Sequence, residues 1–191
     1  LLLLSQAESG QLALQLAPLK LGELVDDLVD QFQIPAEEEH IDLTCKILAP
    51  EAVIRADRTQ MGRLITNLLS NALKYSPGGG RVEVTVDSVE HQLVLTVADT
   101  GVGIPKENLP HIFDRFYRVR PAHTQPTQGL GLGLSFVAWI VQAHEGTIDV
   151  ESEPGQGSKF TVRLPLYVDP SESQSNRIFA AGQPEAATKV P

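Results

Sequence analysis

Asn67, Asn71 and Lys74 fall on one side of a single helical pattern. At roughly 100° per residue, Asn71 sits about 40° from Asn67, and Lys74 about 20° to its other side. Met61, Leu64, Ile65, Leu68, Leu69 and Ala72 gather on a stripe about 145° away by the same count. One side is built for a core. The other offers two amide oxygens and an ammonium. Amide oxygens are hard ligands suited to Mg²⁺, which shares its shell between water and phosphate oxygens. A lysine meets phosphate as a point charge. The pattern suits a metal-bound polyphosphate; a solvated polar face is the plainer alternative.

Three further groups carry possible chemistry. Asp99-Thr100-Gly101-Val102-Gly103-Ile104-Pro105 follows a strand pattern. Its glycines let backbone approach a flat ligand, and its carboxylate can accept from an exocyclic amine. A strand-end turn explains it equally. Gly129-Leu130-Gly131-Leu132-Gly133-Leu134 opens a helical pattern, and free N–H groups at a helix start form an anion site. No strand leads into it, as a dinucleotide-binding loop requires, and the closing Gly-Lys-Ser/Thr of a Walker A loop is missing. A hinge is the alternative there. Phe113-Asp114-Arg115-Phe116-Tyr117-Arg118 precedes an aperiodic stretch. Its aromatics can anchor a lid while an arginine reaches phosphate, or simply pack in a core.

The elements that must position these groups follow from periodicity. Residues 1–9 read as a helix end, and 10–20 as a connection containing Pro18. Leu21, Leu24, Val25, Leu28, Val29 and Phe32 predict an amphipathic helix over 21–33, ended by Ile34-Pro35. Ile41, Leu43, Cys45 and Ile47 alternate as a strand, with Cys45 as a plain buried thiol, and a short strand follows at 52–56. Asp57 with Gln60 resembles a capping box before a helix over 58–74. Val82, Val84 and Val86, then Leu93 to Val97, predict an antiparallel hairpin. A short helix is expected around 106–112, a mobile loop over 119–128 and a helix from 129 to about 144. Strands at 146–152 and 158–164 flank a turn at 154–157. Hairpins with intervening helices indicate an α+β layer.

A net charge of −9 without clustered cations weighs against a nucleic-acid partner. One cysteine excludes an internal disulfide and fits a reducing compartment. The opening Leu1–Leu4 run is too short to span a bilayer, and no signal-peptide pattern follows it. With no initial Met, the chain is expected to be a piece of something longer.

Taken in order, the four groups resemble the N, G1, F and G2 boxes of the catalytic, ATP-binding domain of bacterial sensor histidine kinases. These belong to the wider gyrase, Hsp90, histidine kinase and MutL ATP-binding class. The resemblance covers about residues 20–166, and Gly155-Gln156-Gly157-Ser158-Lys159-Phe160 resembles the family's closing turn and strand. It implies a two-layer α/β sandwich of the Bergerat type. A mixed, mostly antiparallel sheet of about five or more strands is then covered on one face by three helices. Residues 1–15 would be the end of a dimerisation and phosphoacceptor helical hairpin, 16–168 the catalytic domain and 169–191 a disordered tail.

The resemblance also implies roles. Asn71 would ligate Mg²⁺ with Asn67 in support, Lys74 would contact phosphate, and Tyr75 would pack near the base. Asp99 would bind the adenine amino group in a pocket shaped by Gly101, Gly103 and Ile104. Arg118 would reach the terminal phosphate. Gly129, Gly131 and Gly133, with Leu132 and Leu134, would close a lid and bring N–H groups to the phosphates; Ser158 would join the adenine network through its hydroxyl. Asn67, Lys74 and Arg118 would be the catalytic set, with ATP and Mg²⁺ as cofactors.

Two departures stand out. Leu130 replaces the Ser, Thr or Asn common between the first two glycines of the last box. No phosphoacceptor motif surrounds His40, His91, His111 or His123, and His144 falls at a helix end. The acceptor histidine is therefore expected upstream of Leu1, on a helical domain of the same protein. The other implied partner is a response regulator receiver domain. The intact protein would be a homodimer and this piece a monomer, on the cytoplasmic side of an inner-membrane sensor. The rivals are an ATP-hydrolysing machine, a non-catalytic nucleotide sensor, and a serine-directed kinase sharing the pocket. Hydrolysing relatives carry a Glu where Asn67 stands, and an amide cannot act as a general base.

Overall fold

The computed structural model describes residues 13–119 and 130–167. The helix end expected at 1–9, nearly all of the 119–128 loop and the 169–191 tail lie outside them. Helical spacing produces α1 (Leu21–Glu38), with Leu21, Leu24, Val25 and Val29 buried. The helix does not stop before Pro35 as the sequence suggests; it runs on to Glu38. The reason lies in how it ends. The Ile41 N–H donates to the Ala36 carbonyl (2.8 Å) and the His40 N–H to that of Glu37 (3.0 Å). His40 takes the left-handed conformation, φ 57°, that this double closure requires. Ala36 and Ile41 are both buried, so the last turn is held by tertiary packing despite the missing proline N–H.

The strands are β1 (Ala17–Lys20), β2 (Asp42–Ile47), β3 (Val53–Ala56), β4 (Arg81–Val89), β5 (Gln92–Asp99), β6 (Thr147–Glu153) and β7 (Gly157–Pro165). Five form one sheet in the order β2-β4-β5-β7-β6. Only its β2–β4 pair is parallel. The expected hairpin is β4–β5, with Val82 opposite Asp99 and Val89 opposite Gln92. The 17–20 stretch is not a plain connection: β1 pairs antiparallel with β3 in a separate ribbon. A four-residue strand containing proline shows no period, and its partner lies far along the chain.

The helices α1, α2 (Arg58–Tyr75) and α3 (Gly133–Ala143) pack on one face of the five-stranded sheet. Val82, Val84, Val86, Leu93, Leu95, Val97, Val162 and Leu164 point into this layer. They meet the predicted α2 stripe, in which Met61, Leu64, Ile65, Leu68, Leu69 and Ala72 are all buried. Alternation sends Lys46, Glu83, Arg163 and Asp149 to the other face, where they form the cross-strand pairs Lys46–Glu83 and Arg163–Asp149. The helix expected around 106–112 is reduced to a 3₁₀ turn at Leu109–His111. No helix of the described residues is long and apolar enough to cross a membrane.

The start of α2 is fixed by a buried junction. Asp57 Oδ1 accepts from the N–H groups of Thr59 (2.9 Å) and Gln60 (3.1 Å), as an N-cap should. Its Oδ2 accepts from the Gln15 N–H (2.9 Å). A capping box would have Gln60 reach back to the Asp57 N–H. Instead that N–H donates to His144 Nε2 (3.0 Å), while His144 Nδ1 donates to the Ile140 carbonyl (2.7 Å). The end of α3 thus caps the start of α2 through one neutral imidazole tautomer. Burial pushes the Asp57 carboxyl upward, but the N–H donors of Gln15, Gln60 and Thr59 outweigh it and hold it below its ordinary value. Cys45 is half-buried rather than fully buried. Desolvation, then the nearby carboxylates of Asp26 and Asp30, push its thiol up to about 11.

Asp57→Ala is expected to remove about 1–2 kcal/mol of unfolding free energy at neutral pH. A carboxylate whose folded pKa is depressed stabilises above its unfolded pKa and loses that contribution as pH falls through the folded one. The gap between the two proteins in urea denaturation should therefore narrow on acidification; a gap constant into acid contradicts the assignment. Cys45, largely a neutral thiol at pH 8, should alkylate far more slowly with iodoacetamide than free cysteine does. Equal rates would show an exposed, ionised sulfur.

Candidate functional site

A cavity of about 590 Å³ opens between the C-terminal half of α2, the start of α3, the chain after β5 and Ser158 on β7. Asn67, Asn71, Lys74 and Tyr75 line it from α2; Asp99, Gly103 and Ile104 from the end of β5 and beyond. Arg118, Gly131, Leu132, Gly133, Leu134 and Ser158 complete the set singled out in the sequence. Gly101 does not line it: it sits behind Asp99, where a Cβ would lie 2.4 Å from the Tyr75 carbonyl oxygen. Gly129 lies outside the described residues.

Burying the apolar stripe of α2 obliges its polar side to form the cavity wall. Asn67 Nδ2 donates to the Arg63 carbonyl (2.8 Å), which fixes the amide plane. Its Oδ1 faces the start of α3, 2.8 Å from where a Cβ on Gly133 would stand. The Asn71 side chain makes no hydrogen bond with the described residues and lines the cavity. The Lys74 ammonium stands 5.3 Å from the Tyr75 ring centroid, within cation–π range.

At the opposite end, Asp99 Oδ1 accepts from the N–H groups of Gly101 (2.8 Å) and Ser158 (3.2 Å). Its second oxygen receives no protein donor among the described residues and faces the cavity. Burial pushes the Asp99 carboxyl above its ordinary value, against the opposing pull of those two N–H groups. Gly103, at φ 68°, passes so close to β6 that a Cβ would lie 2.0 Å from the Glu153 carbonyl oxygen. Only glycine fits there. The following Ile104 N–H donates to Ser152 Oγ (2.8 Å).

The third wall is the start of α3. The helix begins at Gly133, later than the 129 suggested by the glycine spacing. Gly131, at φ 69°, cannot belong to a right-handed helix. The first helical bond runs from the Phe136 N–H to the Leu132 carbonyl (3.0 Å). The N–H groups of Gly133, Leu134 and Ser135 find no acceptor among the described residues, and no side chain caps them. Three unanswered donors at a positive helix end suit an anion. Gly131 also joins α3 to the Phe113–Arg118 segment: its carbonyl accepts from the Phe116 N–H (2.9 Å). A Cβ at Gly131 would meet the Phe116 carbonyl carbon at 2.8 Å and the Tyr117 oxygen at 2.9 Å. Leu130 at this margin is 71% exposed.

Sequence reasoning passed over Tyr117 and Ser152. Tyr117 lines the cavity, and its hydroxyl donates to Asn108 Oδ1 (2.8 Å). It lay within the aromatic segment but carried no separate signal. Ser152 did carry one. On β6 it continues the inward row of Ile148 and Val150, and a hydroxyl in an apolar row must find partners.

Residues 56–168 match the family described as histidine kinase-, DNA gyrase B-, and HSP90-like ATPase. The sensor histidine kinase RppB of Synechocystis sp. is 41% identical over 170 residues, covering 89% of this chain and 37% of that protein. Relative to such curated proteins, the chain spans little more than a third of the length. Among solved structures, the mycobacterial sensor histidine kinase MprB is similar at a TM-score of 0.70 and 29% identity, over 80% of this chain and 100% of that one. Full-length ShkA in complex with AMPPNP is similar at a TM-score of 0.72 and 28% identity, over 83% of this chain and 32% of that one.

A buried carboxyl with a raised folded pKa contributes stability below its unfolded pKa and loses it as pH rises through the folded one. At neutral pH the ionised Asp99 is thus a burden on folding. Asp99→Asn keeps the oxygen that accepts from Gly101 and Ser158 and removes the charge. Its melting temperature at neutral pH should equal or exceed that of the unaltered chain. A clearly lower one would mean that the charge stabilises the fold.

Proposed function

The chain belongs to the histidine kinase-, DNA gyrase B-, and HSP90-like ATPase family, and on that premise we propose that it is the ATP-binding catalytic part of a two-component sensor histidine kinase. In this proposal residues 16–168 transfer the γ-phosphoryl group of ATP to a histidine on a helical dimerisation domain outside this chain. The phosphoryl group then passes to an aspartate of a response regulator. The similarity to sensor histidine kinases supports it. The observation that carries it is Asn67: its amide, hydrogen-bonded to the Arg63 carbonyl, stands on the cavity wall where a water-activating base would be needed. With no proton acceptor there, water is poorly activated, and transfer to a protein nucleophile is favoured over hydrolysis.

The residues fit a nucleotide along the cavity. The free oxygen of Asp99 accepts from the adenine amino group, with Ile104 and Tyr75 beside the base. The uncapped N–H groups of Gly133 and Leu134 meet phosphate oxygens, and Lys74 and Arg118 add cationic charge. Asn71, with its open amide oxygen and Asn67 in support, would hold Mg²⁺, which neutralises charge on the β- and γ-phosphates. The acceptor imidazole nitrogen forms a bond to the γ-phosphorus as the bond to the ADP oxygen breaks. The protein's share is positioning and charge stabilisation. Such a site lies on the side of the membrane where ATP is found, and the parent is proposed to be a dimeric sensor.

The test supplies labelled ATP and Mg²⁺ to the chain, with and without a phosphoacceptor helical domain added in trans. Label should pass to the acceptor's histidine, with slow phosphate release from the chain alone. Asp99→Asn should abolish this, weakening nucleotide binding at least tenfold, because an N–H then faces the adenine amine (about 1–3 kcal/mol). Rapid phosphate release without acceptor would establish an ATP hydrolase instead. Tight binding with no transfer to a competent acceptor would establish a nucleotide sensor.

A further inference from the structure

Ser152 stands outside the cavity wall, yet it decides which way a wall hydroxyl points. Its Oγ has three neighbours: the Ile104 N–H (2.8 Å), the Gly157 carbonyl oxygen (2.7 Å) and Ser158 Oγ (3.0 Å). The Ile104 N–H can only donate. The Gly157 carbonyl can only accept, and two oxygens 2.7 Å apart without a proton between them repel. The single Ser152 proton is therefore committed to Gly157. The third contact then has one solution: Ser158 donates its proton to Ser152. Ser158 is 9% exposed and lines the cavity. With its proton turned away, it offers the cavity lone pairs only. Beside it, Asp99 Oδ1 is occupied by two N–H groups and Oδ2 is open. Asp99 and Ser158, side by side across the β5–β7 pair, consequently both present acceptors.

We propose that Ser152 is a positioning residue for base selection: by fixing the Ser158 proton away from the cavity, it makes the base end an all-acceptor surface that takes a 6-aminopurine and rejects a 6-oxopurine. This rests on the assignment of the cavity to ATP. An amino group brings two N–H donors to this surface. In the pose that sets the 6-substituent between Asp99 and Ser158, an oxo group brings lone pairs against lone pairs, and a mispaired buried acceptor is penalised far more than a lost contact; the N1–H of a 6-oxopurine reaches Asp99 only if the base shifts from that pose. In Ser152→Ala the Ser158 hydroxyl loses its acceptor and turns freely, so its proton can swing to the cavity and satisfy the oxo group.

The experiment measures dissociation constants of ATP and inosine triphosphate, with Mg²⁺, by calorimetry on the full chain and its variants. The unaltered chain should prefer ATP. Ser152→Ala should narrow the preference ratio about tenfold, mainly by improving inosine triphosphate binding. Loosening of the Ile104 loop would weaken both ligands alike and leave the ratio unmoved, so the ratio separates positioning from mere support. Ser158→Ala removes that proton altogether, so adding it to Ser152→Ala should abolish the gain in inosine triphosphate binding, since both act on one proton. If Ser152→Ala does not fold, the near-isosteric Ser152→Cys, whose sulfur is a weak acceptor, carries the test. An unchanged ratio in the Ser152 variant, or a gain that persists without the Ser158 hydroxyl, with ATP still bound, overturns the inference and spares the ATP assignment. Failure of the unaltered chain to bind ATP removes both.

Discussion

Burial of one stripe of α2 against the sheet governs the rest of the molecule. Leu64, Ile65, Leu68 and Leu69 cannot leave the layer formed by β4, β5 and β7 without exposing the centre of the core. At roughly 25 cal/mol per Å² of apolar surface, four such side chains outweigh any polar preference on the other side of the helix. Asn67, Asn71 and Lys74 are thereby presented together and upright along one wall. The N-cap at Asp57 sets where the helix starts, and hence the height at which each amide emerges. The buried His144 ties that start to the end of α3. The two helices whose polar ends frame the cavity are thus referenced to each other at the far side of the fold.

Much of this was legible in the sequence because α2, β4 and β5 are long and strictly periodic, and periodicity reports burial directly. The alternating valines of β4 and the opposed β5 needed no partner elsewhere to be recognised. What was hidden depended on contacts between distant segments. β1 is four residues long and exists because β3 supplies its hydrogen bonds. The extension of α1 past Pro35 rests on Ile41 reaching back to Ala36. The acceptor for the Asp57 N–H comes from a histidine 87 residues away, where local reasoning nominated Gln60. The grouping around the cavity could be read from motif order. The inward turn of Gly101 could not, since it depends on the end of α2 lying against that loop.

The two ends of the cavity solve opposite electrostatic problems. At the α3 end, N–H groups with no acceptor among the described residues make a positive concavity that costs little to maintain while solvent can reach it. At the Asp99 end, a carboxyl is drawn into a buried position that resists its ionisation. A family that includes histidine kinases, gyrase B and Hsp90-like ATPases can share this scheme while differing in the group that receives the phosphoryl. Here the position facing the start of α3 is an amide, Asn67, rather than a carboxylate.

The clasp between Gly131 and the Phe116–Tyr117 backbone has an architectural corollary. The chain leaves the clasp after Tyr117 and returns to it at Gly131, so both mouths of the intervening span are anchored at one place. Closure entropy grows only logarithmically with length, about 0.6 kcal/mol per doubling. The register of the sheet and helices is therefore insulated from the length of chain between the two sides of the clasp, and a graft there would have to leave Arg118 and Gly131 in place to keep the cavity wall.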